Sequence, residues 1–547
     1  MKNPNLSRFI LLFFSLFLTQ EAKADWVNLT GAEISSNIAE IYILDDHVKV
    51  KLEIYPRDLA AFEDLLPQEW LNNTSNKQLL SEASLNDSSS NTLTIKTGKG
   101  TILPAQVKVL EARQRIDRYS PMAGKFNPIT RRRIPDAPAD KGVIYAEIIY
   151  PFDKKPEQLQ ISPPLDKDGS AQVTLGFVTF HQSVPVNDFR YLGLPATLNL
   201  NWQDPWYTKF ENSNLTRHHK YPLMLYLYAE PRQVKLEALM RISDIAEMTG
   251  FDVVNKDEKS DRRKRLHDHI NAYFLSENPL TIDAKQQKPD VVKISYFTID
   301  LTGLKFVENP SEIDDASLLV GVSRQYYVDA LPQHIESQWP YFNKTNARIP
   351  IIATDPAGPL PGFVVQDDPV FSWNNHLKQY QEPVMNPVEI NTGWRITLPY
   401  FGQWKLLNQL PDEQQTQMIV SNVFENIRVA FIEKKPGQLS SALSKLVAPD
   451  QVDPLTRELS KLFAPAIKRG GTGSVKTFGE LQIKEVRGLE DPDGFSTTLS
   501  GSAIIHAMHW GHTDQLKLDF ELLLDLVEAG EQWQLSELTI VNLKESQ

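Results

Sequence analysis

The feature that most constrains the fold of this 547-residue chain is an alternating strand pattern that occurs twice. Residues 41–55 contain two strand-like runs, and in the second run apolar and charged residues alternate strictly. Such a period of two predicts a hairpin with one buried face and one polar face. Residues 225–239 repeat the pattern, and Val50-Lys51-Leu52-Glu53 recurs as Val234-Lys235-Leu236-Glu237.

Further short matches follow the two hairpins in the same order and indicate an internal duplication. They pair Leu93-Thr94-Ile95 with Leu280-Thr281-Ile282, Val107-Lys108-Val109 with Val292-Lys293-Ile294, Tyr150 with Tyr326, and Trp202 with Trp373. The short strands and proline-rich turns are typical of sandwiches. We therefore predict two tandem antiparallel β-sandwich-like repeats, residues 25–213 and 214–384, each with one helix, at about 75–85 and 261–275.

The last quarter of the chain has a different pattern. Asp412 and Gln415 form a capping-box sequence ahead of apolar residues at helical spacing, which predicts a long helix that ends at Pro436-Gly437. Shorter helices are predicted at about 439–447 and 453–468, followed by strands near 474–488, 495–511, 514–528 and 532–543. A small hairpin around residues 391–393, within a linker of residues 385–411, joins this α+β region to the β repeats.

Residues 1–24 are typical of a cleavable signal peptide. Lys2 and Arg8 precede and flank an apolar run at 9–18, and Ala22-Lys23-Ala24 is a small-x-small cleavage sequence. The run is shorter than the roughly 20 apolar residues that span a bilayer. We expect an exported, periplasmic protein that does not span the membrane after cleavage.

Composition narrows the classes of function. The net charge of −12 argues against nucleic acid or anionic lipid as a partner unless a strong local basic patch is present. The absence of cysteine excludes disulfides, cysteine-ligated metals and thiol nucleophiles. Two basic runs, Arg131-Arg132-Arg133 and residues 259–265, are open to two interpretations: a patch for phosphate or an acidic partner, or solvated charge, which we favour.

Residues 501–512 contain three histidines and are the first place to look for chemistry. On a continuous strand, His506, Met508, Trp510 and His512 share one face, with Asp514 just beyond the turn. His506 and His512 are then about 20 Å apart, too far to share a metal ion. The remaining interpretations are a ligand-binding cavity face formed by these five residues, or, as we favour, an interface with the β repeats at which Trp510 packs.

Motifs for nucleophilic catalysis, phosphate-binding loops and zinc proteases are absent from the sequence. We therefore assign no catalytic residue, no metal ligand and no cofactor, and we favour a non-enzymatic protein while leaving enzymatic activity open. A metal-binding or enzymatic site on the strand from His506 to His512 remains the third alternative.

Two resemblances add to these expectations. The repeated hairpin, the helix start at Arg57-Asp58-Leu59 and the Leu-Thr-Ile strand resemble the soluble extracytoplasmic domain of HupE/UreJ-like accessory proteins. This resemblance implies a β module without catalytic residues. The helices, the meander and the ending Gly530, Trp533 and Leu535 resemble an NTF2-like cone domain, here residues 412–547. Together they imply an interaction or assembly module whose partner is an envelope or membrane protein. A small ligand bound in the cavity of the cone is the alternative.

Overall fold

The computed structural model describes residues 29–65, 93–118, 120, 122–217, 221–252, 259–276, 279–300, 303–377, 380–386, 395–398, 402–405, 410–467, 471–490, 493–530 and 532–546. The described chain is mostly β and forms several sheets, in agreement with a β-rich multidomain architecture. The expected signal peptide, the helix expected at 75–85 and the turn expected at 391–393 lie outside the described residues.

The first β unit consists of two sheets that share one core. Its strands are β1 (Asn37–Ile43), β2 (His47–Ile54), β3 (Thr94–Thr97), β4 (Gln106–Gln114), β5 (Gly142–Pro151), β6 (Gln158–Ser162), β7 (Leu175–His181), β8 (Val184–Pro185), β9 (Arg190–Tyr191), β10 (Ala196–Asn199) and β11 (Lys209–Phe210). The large sheet has the order β4-β5-β2-β1-β7-β8, with β9 also on β7, and the small sheet has the order β11-β10-β6-β3. Short 3-10 turns occur at Ala32–Ile34, Pro56–Leu65, Pro205–Tyr207 and Ser213–Leu215.

The second β unit contains two sheets and two helices. Its elements are β12 (Met224–Glu230), β13 (Gln233–Arg241), α1 (Ile242–Thr249), α2 (Lys259–Ser276), β14 (Leu280–Ile282), β15 (Lys285–Gln287), β16 (Val291–Asp300), β17 (Gly303–Phe306), β18 (Leu319–Tyr327), β19 (His334–Gln338), β20 (Arg348–Asp355), β21 (Gly358–Val365) and β22 (Val370–Asn374), with a 3-10 turn at Pro310–Glu312. The large sheet runs β17-β16-β18-β13-β12-β20-β21 and the small one β15-β14-β19-β22. The helix expected at 261–275 is α2, which buries Leu266, Ile270 and Phe274 against the large sheet.

The two large sheets have matching strand orders. The first four strands of one order, β4-β5-β2-β1, correspond to β16-β18-β13-β12 of the other, and both continue through a parallel neighbour, β7 or β20. The expectation of purely antiparallel sheets is therefore wrong at the β1–β7 and β12–β20 pairs. Parallel neighbours need a long crossover. Here each crossover includes strands of the small sheet, β3 and β6 in the first unit and β14, β15 and β19 in the second. The local hairpin pattern does not reveal this connection.

Within the expected linker, β23 (Arg395–Leu398) pairs with β24 (Gly402–Lys405). The C-terminal unit follows, with α3 (Glu413–Ala430), α4 (Pro436–Leu443), α5 (Val452–Phe463), β25 (Ser474–Phe478), β26 (Gln482–Gly488), β27 (Gly494–His509), β28 (His512–Ala529) and β29 (Gln532–Ser546), and a 3-10 turn at Pro449–Gln451. Asp412 and Gln415 form the expected capping box. Pro436 begins α4 rather than ending α3, because a proline at the first turn loses no helical hydrogen bond.

The C-terminal sheet packs against the helices, and aromatic rings are buried between them. Rings of Phe424 in α3, Phe463 in α5 and Phe520 in β28 meet Phe478 at centroid separations of 5.5–6.4 Å. The expected strand at 474–488 is broken into β25 and β26, which both pair with β27 and carry register shifts. Apolar and charged residues alternate along β28, and its apolar side chains Leu518, Phe520, Leu522, Leu524 and Leu526 are all buried.

Candidate functional site

The tip of the β27–β28 hairpin lies in a two-residue turn formed by Trp510 and Gly511. His509 pairs with His512, and Trp510 and Gly511 have φ of 49° and 77°. Two central residues with positive φ are the pattern of a type I′ turn, which favours Asn-Gly. A tryptophan in this conformation is strained by an amount on the order of 1–3 kcal/mol, so the surroundings of the turn must hold it there.

Those surroundings are the outer face of the large sheet of the second β unit. The Trp510 side chain is 4% exposed, and its ring meets Phe297 edge-on with centroids 5.1 Å apart. We name the apolar group around it the junction cluster. It contains Val184, Trp206, Tyr226, Tyr228, Leu239, Phe297, Leu304, Leu319 and Trp510. All three units contribute to this cluster, so the hairpin tip is where the three meet.

Two glycines make room for this contact. A Cβ atom on Gly321 would lie 2.5 Å from the Trp510 ring and 2.6 Å from the Phe297 ring. A Cβ atom on Gly511 would lie 2.4 Å from the Tyr226 ring. The close approach of strand, tip and rings therefore depends on the absence of a side chain at both positions.

The backbone of the tip is held by side chains of β12 and β13. The N–H of Trp510 donates to Oε2 of Glu237 at 2.5 Å, and the N–H of Gly511 donates to the Tyr228 hydroxyl at 2.9 Å. The Lys235 ammonium donates to the carbonyl oxygen of Met508. These three bonds use backbone groups that a turn would otherwise leave to water, so β12 and β13 form a socket for the tip.

The charged groups of the socket compensate one another. Nζ of Lys235 lies 3.1 Å from Oε1 of Glu237 and 4.3 Å from the centre of the Tyr228 ring. Glu237 and Tyr228 are each 2% exposed. Burial, and then the charge of Glu237, raises the pKa of Tyr228 well above its usual value, so the hydroxyl stays neutral. A buried carboxylate is stable here because an ammonium and a backbone N–H both compensate it.

The equivalent glutamate of the first β unit is also covered. Glu53 is 3% exposed and accepts the N–H of Ile116 at 3.0 Å and a guanidinium N–H of Arg118 at 2.8 Å. The expectation that Glu53 lies on a solvent-facing surface is wrong, because the loop after β4 folds back over that face. In the first unit this position is covered by a loop of the same unit, whereas in the second it is covered by Trp510 of the C-terminal unit.

The structure separates the five residues proposed for a cavity face. The turn at Trp510 interrupts the alternation expected through residue 511, so Trp510 and His512 do not continue the face of His506. Ala503, Ile505 and Ala507 face the core of the C-terminal unit, while His506 and Met508 lie on the other face, half-buried. Met508 packs at the edge of the junction cluster. Burial, followed by the charge of Lys476, lowers the pKa of His506, which pairs with Gln515.

His509, which we did not single out, is the most deeply buried of the three histidines. It is 2% exposed, and Nε2 lies 2.9 Å from Oδ2 of Asp514. Asp514 therefore orients His509. Gly471 leaves room for the ring, since a Cβ there would lie 3.4 Å from it. The period of two along β27 already places His509 on the face of Ile505 and Ala507, which is the core face.

Further polar contacts tie the units together. The Arg241 guanidinium bonds Asp244 at 2.7 Å and Asp204 of the first unit at 2.5 Å. Arg232, in the turn between β12 and β13, bonds Glu433 of the C-terminal unit at 2.8 Å and Glu382 at 2.6 Å. These pairs lie outside the junction cluster, so the units are joined at more than one place.

The two basic runs have different environments. In α2, Arg262 and Arg263 bond Asp315, and the Arg263 side chain is only 4% exposed, so part of this run is structural. Arg131, Arg132 and Arg133 are exposed. Among the described residues, no group of three or more His, Cys, Asp or Glu is placed to hold a metal ion.

Comparison with family models and with curated proteins finds no match to this chain. No helix in the described ranges combines the length and the apolar character needed to cross a membrane. The site is therefore interpreted from its geometry alone.

Proposed function

We propose that this protein is an exported, non-enzymatic interaction or assembly module of the cell envelope, built from a duplicated β unit and an NTF2-like unit. One observation carries the proposal. The histidine-rich stretch around Trp510 joins the three units, and it does so through the Glu237 socket and the junction cluster. A multi-unit body joined in this way suits a protein that presents surfaces to a partner.

The duplication is supported by topology. Four of the segments matched in sequence lie on strands at equivalent positions, which pair β2 with β13, β3 with β14, β4 with β16 and β5 with β18. The glutamate of the repeated Val-Lys-Leu-Glu motif is buried in both copies and accepts a backbone N–H in both. The NTF2-like assignment is supported by the order of helices and sheet in the C-terminal unit.

The small-ligand alternative has less support. The Trp510 ring already packs against Phe297 and is not available to a ligand. The face that carries His506 and Met508 points away from the aromatic core of the C-terminal unit. A cavity in the C-terminal unit beside Asn426 and Trp533 has a volume of about 10 Å³, roughly the room for one water molecule. A larger, open depression of about 530 Å³ lies beside Ser440, Asp450 and Asp453, and none of the five cavity-face residues lines it.

Crosslinking in the native envelope tests the assembly proposal. The wild-type protein and the Leu194→Ala variant, altered at an exposed side chain, should capture the same stoichiometric envelope protein. Trp510→Ala, which loosens the junction, should capture less of it. If none of the three captures a stoichiometric partner, the assembly proposal is wrong. N-terminal sequencing of the exported protein tests cleavage before Asp25.

A further inference from the structure

The loop between β4 and β5 displays two apolar side chains to solvent. Phe126 is 67% exposed and Ile129 is 79% exposed, the highest value for a large apolar residue in the described part of the chain. Single exposed apolar residues are ordinary on protein surfaces. Two of them in one short loop call for a physical explanation, and we name residues 122–134 the Phe126 loop.

The loop is held in shape by its own hydrogen bonds. Oδ1 of Asn127 accepts the N–H of Ile129 at 2.8 Å and of Thr130 at 3.0 Å. The Asn127 amide donates to the carbonyl of Leu29 at 2.8 Å, and the base of the loop is closed by Ile134 N–H donating to Lys125 at 2.8 Å. The tip is therefore built to project Ile129 outward, and its exposure is not the result of a frayed segment.

Exposed cations surround these apolar side chains. Lys125, Arg131 and Arg132 are all exposed, and Arg131 and Arg132 form no ion pair with any described residue. Arg133 pairs with Asp136 at 3.0 Å. On a chain whose net charge is −12, this is a local cationic patch of the kind that can override overall repulsion from an anionic surface.

We propose that the Phe126 loop binds the surface of an anionic lipid bilayer. Exposed apolar side chains such as Phe126 and Ile129 can enter the boundary between the lipid headgroups and the acyl chains. The guanidinium groups of Arg131 and Arg132 then lie at the level of the phosphates. Neither apolar insertion nor electrostatic attraction alone gives stable membrane binding, and the loop supplies both. The inference depends on this loop only, and it stands independently of the proposed assembly function.

Flotation of the full mature chain with lipid vesicles tests the proposal. The wild-type protein should bind vesicles that contain phosphatidylglycerol and not vesicles of phosphatidylcholine alone, and added salt should weaken the binding. Arg131→Gln/Arg132→Gln should weaken it about fivefold per arginine, and Phe126→Ser/Ile129→Ser by about tenfold or more. All four side chains are exposed, so these variants should fold normally.

Matched controls alter exposed residues elsewhere on the first β unit. Leu194→Ser removes another exposed apolar side chain, and Lys99→Gln/Lys167→Gln removes two other exposed cations; both should bind vesicles as the wild type does. Absence of wild-type binding, or equal losses in loop and control variants, overturns the proposal. Binding to immobilised polyglutamate, lost in Arg131→Gln/Arg132→Gln, without vesicle binding also overturns it and indicates an acidic protein partner instead.

Discussion

The backbone N–H of Trp510 donates to the carboxylate of Glu237 at 2.5 Å, although 273 residues separate the two in the chain. The bond joins the turn of the C-terminal hairpin to the repeated strand motif of the second β unit. The indole and the backbone of Trp510 are thus held by different groups, Phe297 and Glu237. This pairing explains why a tryptophan is tolerated at a turn position that requires positive φ.

Gly321→Ala should destabilise the junction. Its new methyl group would lie 2.5 Å from the Trp510 ring and 2.6 Å from Phe297, so packed rings must move, at a cost of about 1–3 kcal/mol. Urea unfolding measures the change. Gly193→Ala is the matched control, because nothing lies within 4 Å of the added atom. An equal, small effect of both substitutions would show that the rings are not closely packed.

Arg241→Met should be strongly destabilising. Asp244 is 2% exposed and receives two guanidinium bonds from Arg241, at 2.7 and 2.9 Å. Removing the cation leaves this carboxylate buried beside Asn346 alone, which costs about 3–5 kcal/mol. Thermal and urea unfolding check this. Lys484→Met, which breaks an exposed pair with Glu521, should cost less than about 1 kcal/mol. Similar losses for the two would contradict the account.

The stability of the first β unit should fall in mild acid because of His181. Burial, followed by the charge of Lys155, lowers the pKa of His181 from 6.5 to about 4. Between these values the unfolded chain binds a proton that the folded chain does not, so stability is fully present above pH 6.5 and is lost as the pH falls toward 4. The free energy of unfolding should depend less on pH in His181→Gln across this window. An unchanged pH dependence would show that His181 does not titrate as described.

Local signals in the sequence were sufficient for several elements. The hairpin at residues 41–55 and helix α3, with its Asp412–Gln415 capping box, are specified by contacts between near neighbours. The alternation in β28 likewise identifies its buried face. The strongest local patterns of the chain are therefore those that the structure confirms.

Long-range contacts determine what the sequence did not reveal. The turn at Trp510 opposes local preference and forms because residues of β12 and β13 hold it. The strand pattern alone therefore predicts a continuous strand through Trp510. Glu53 and Glu237 occupy the polar positions of an alternating strand, and their burial depends on segments far along the chain. The parallel pairing of β1 with β7 is likewise non-local. Each of these needs the tertiary fold to be known.

The central claim is that Glu237 and Trp510 act together to dock the C-terminal unit. Trp510→Ala alone should cost about 3–5 kcal/mol, and Glu237→Gln, which weakens the bond to the turn, about 1–2 kcal/mol. Once the tip is released, Glu237 no longer accepts the N–H of the turn, although it keeps its ion pair with Lys235, so its substitution costs less. The two substitutions are therefore expected to be non-additive.

A double-mutant cycle measured by urea unfolding tests this most directly. The account predicts a coupling energy of about 0.5–3 kcal/mol between Glu237→Gln and Trp510→Ala. Glu53→Gln, at the equivalent position of the first β unit, should be additive with Trp510→Ala to within about 0.5 kcal/mol. Additivity of the Glu237 pair as well would contradict the claim that the hairpin tip is docked in the socket.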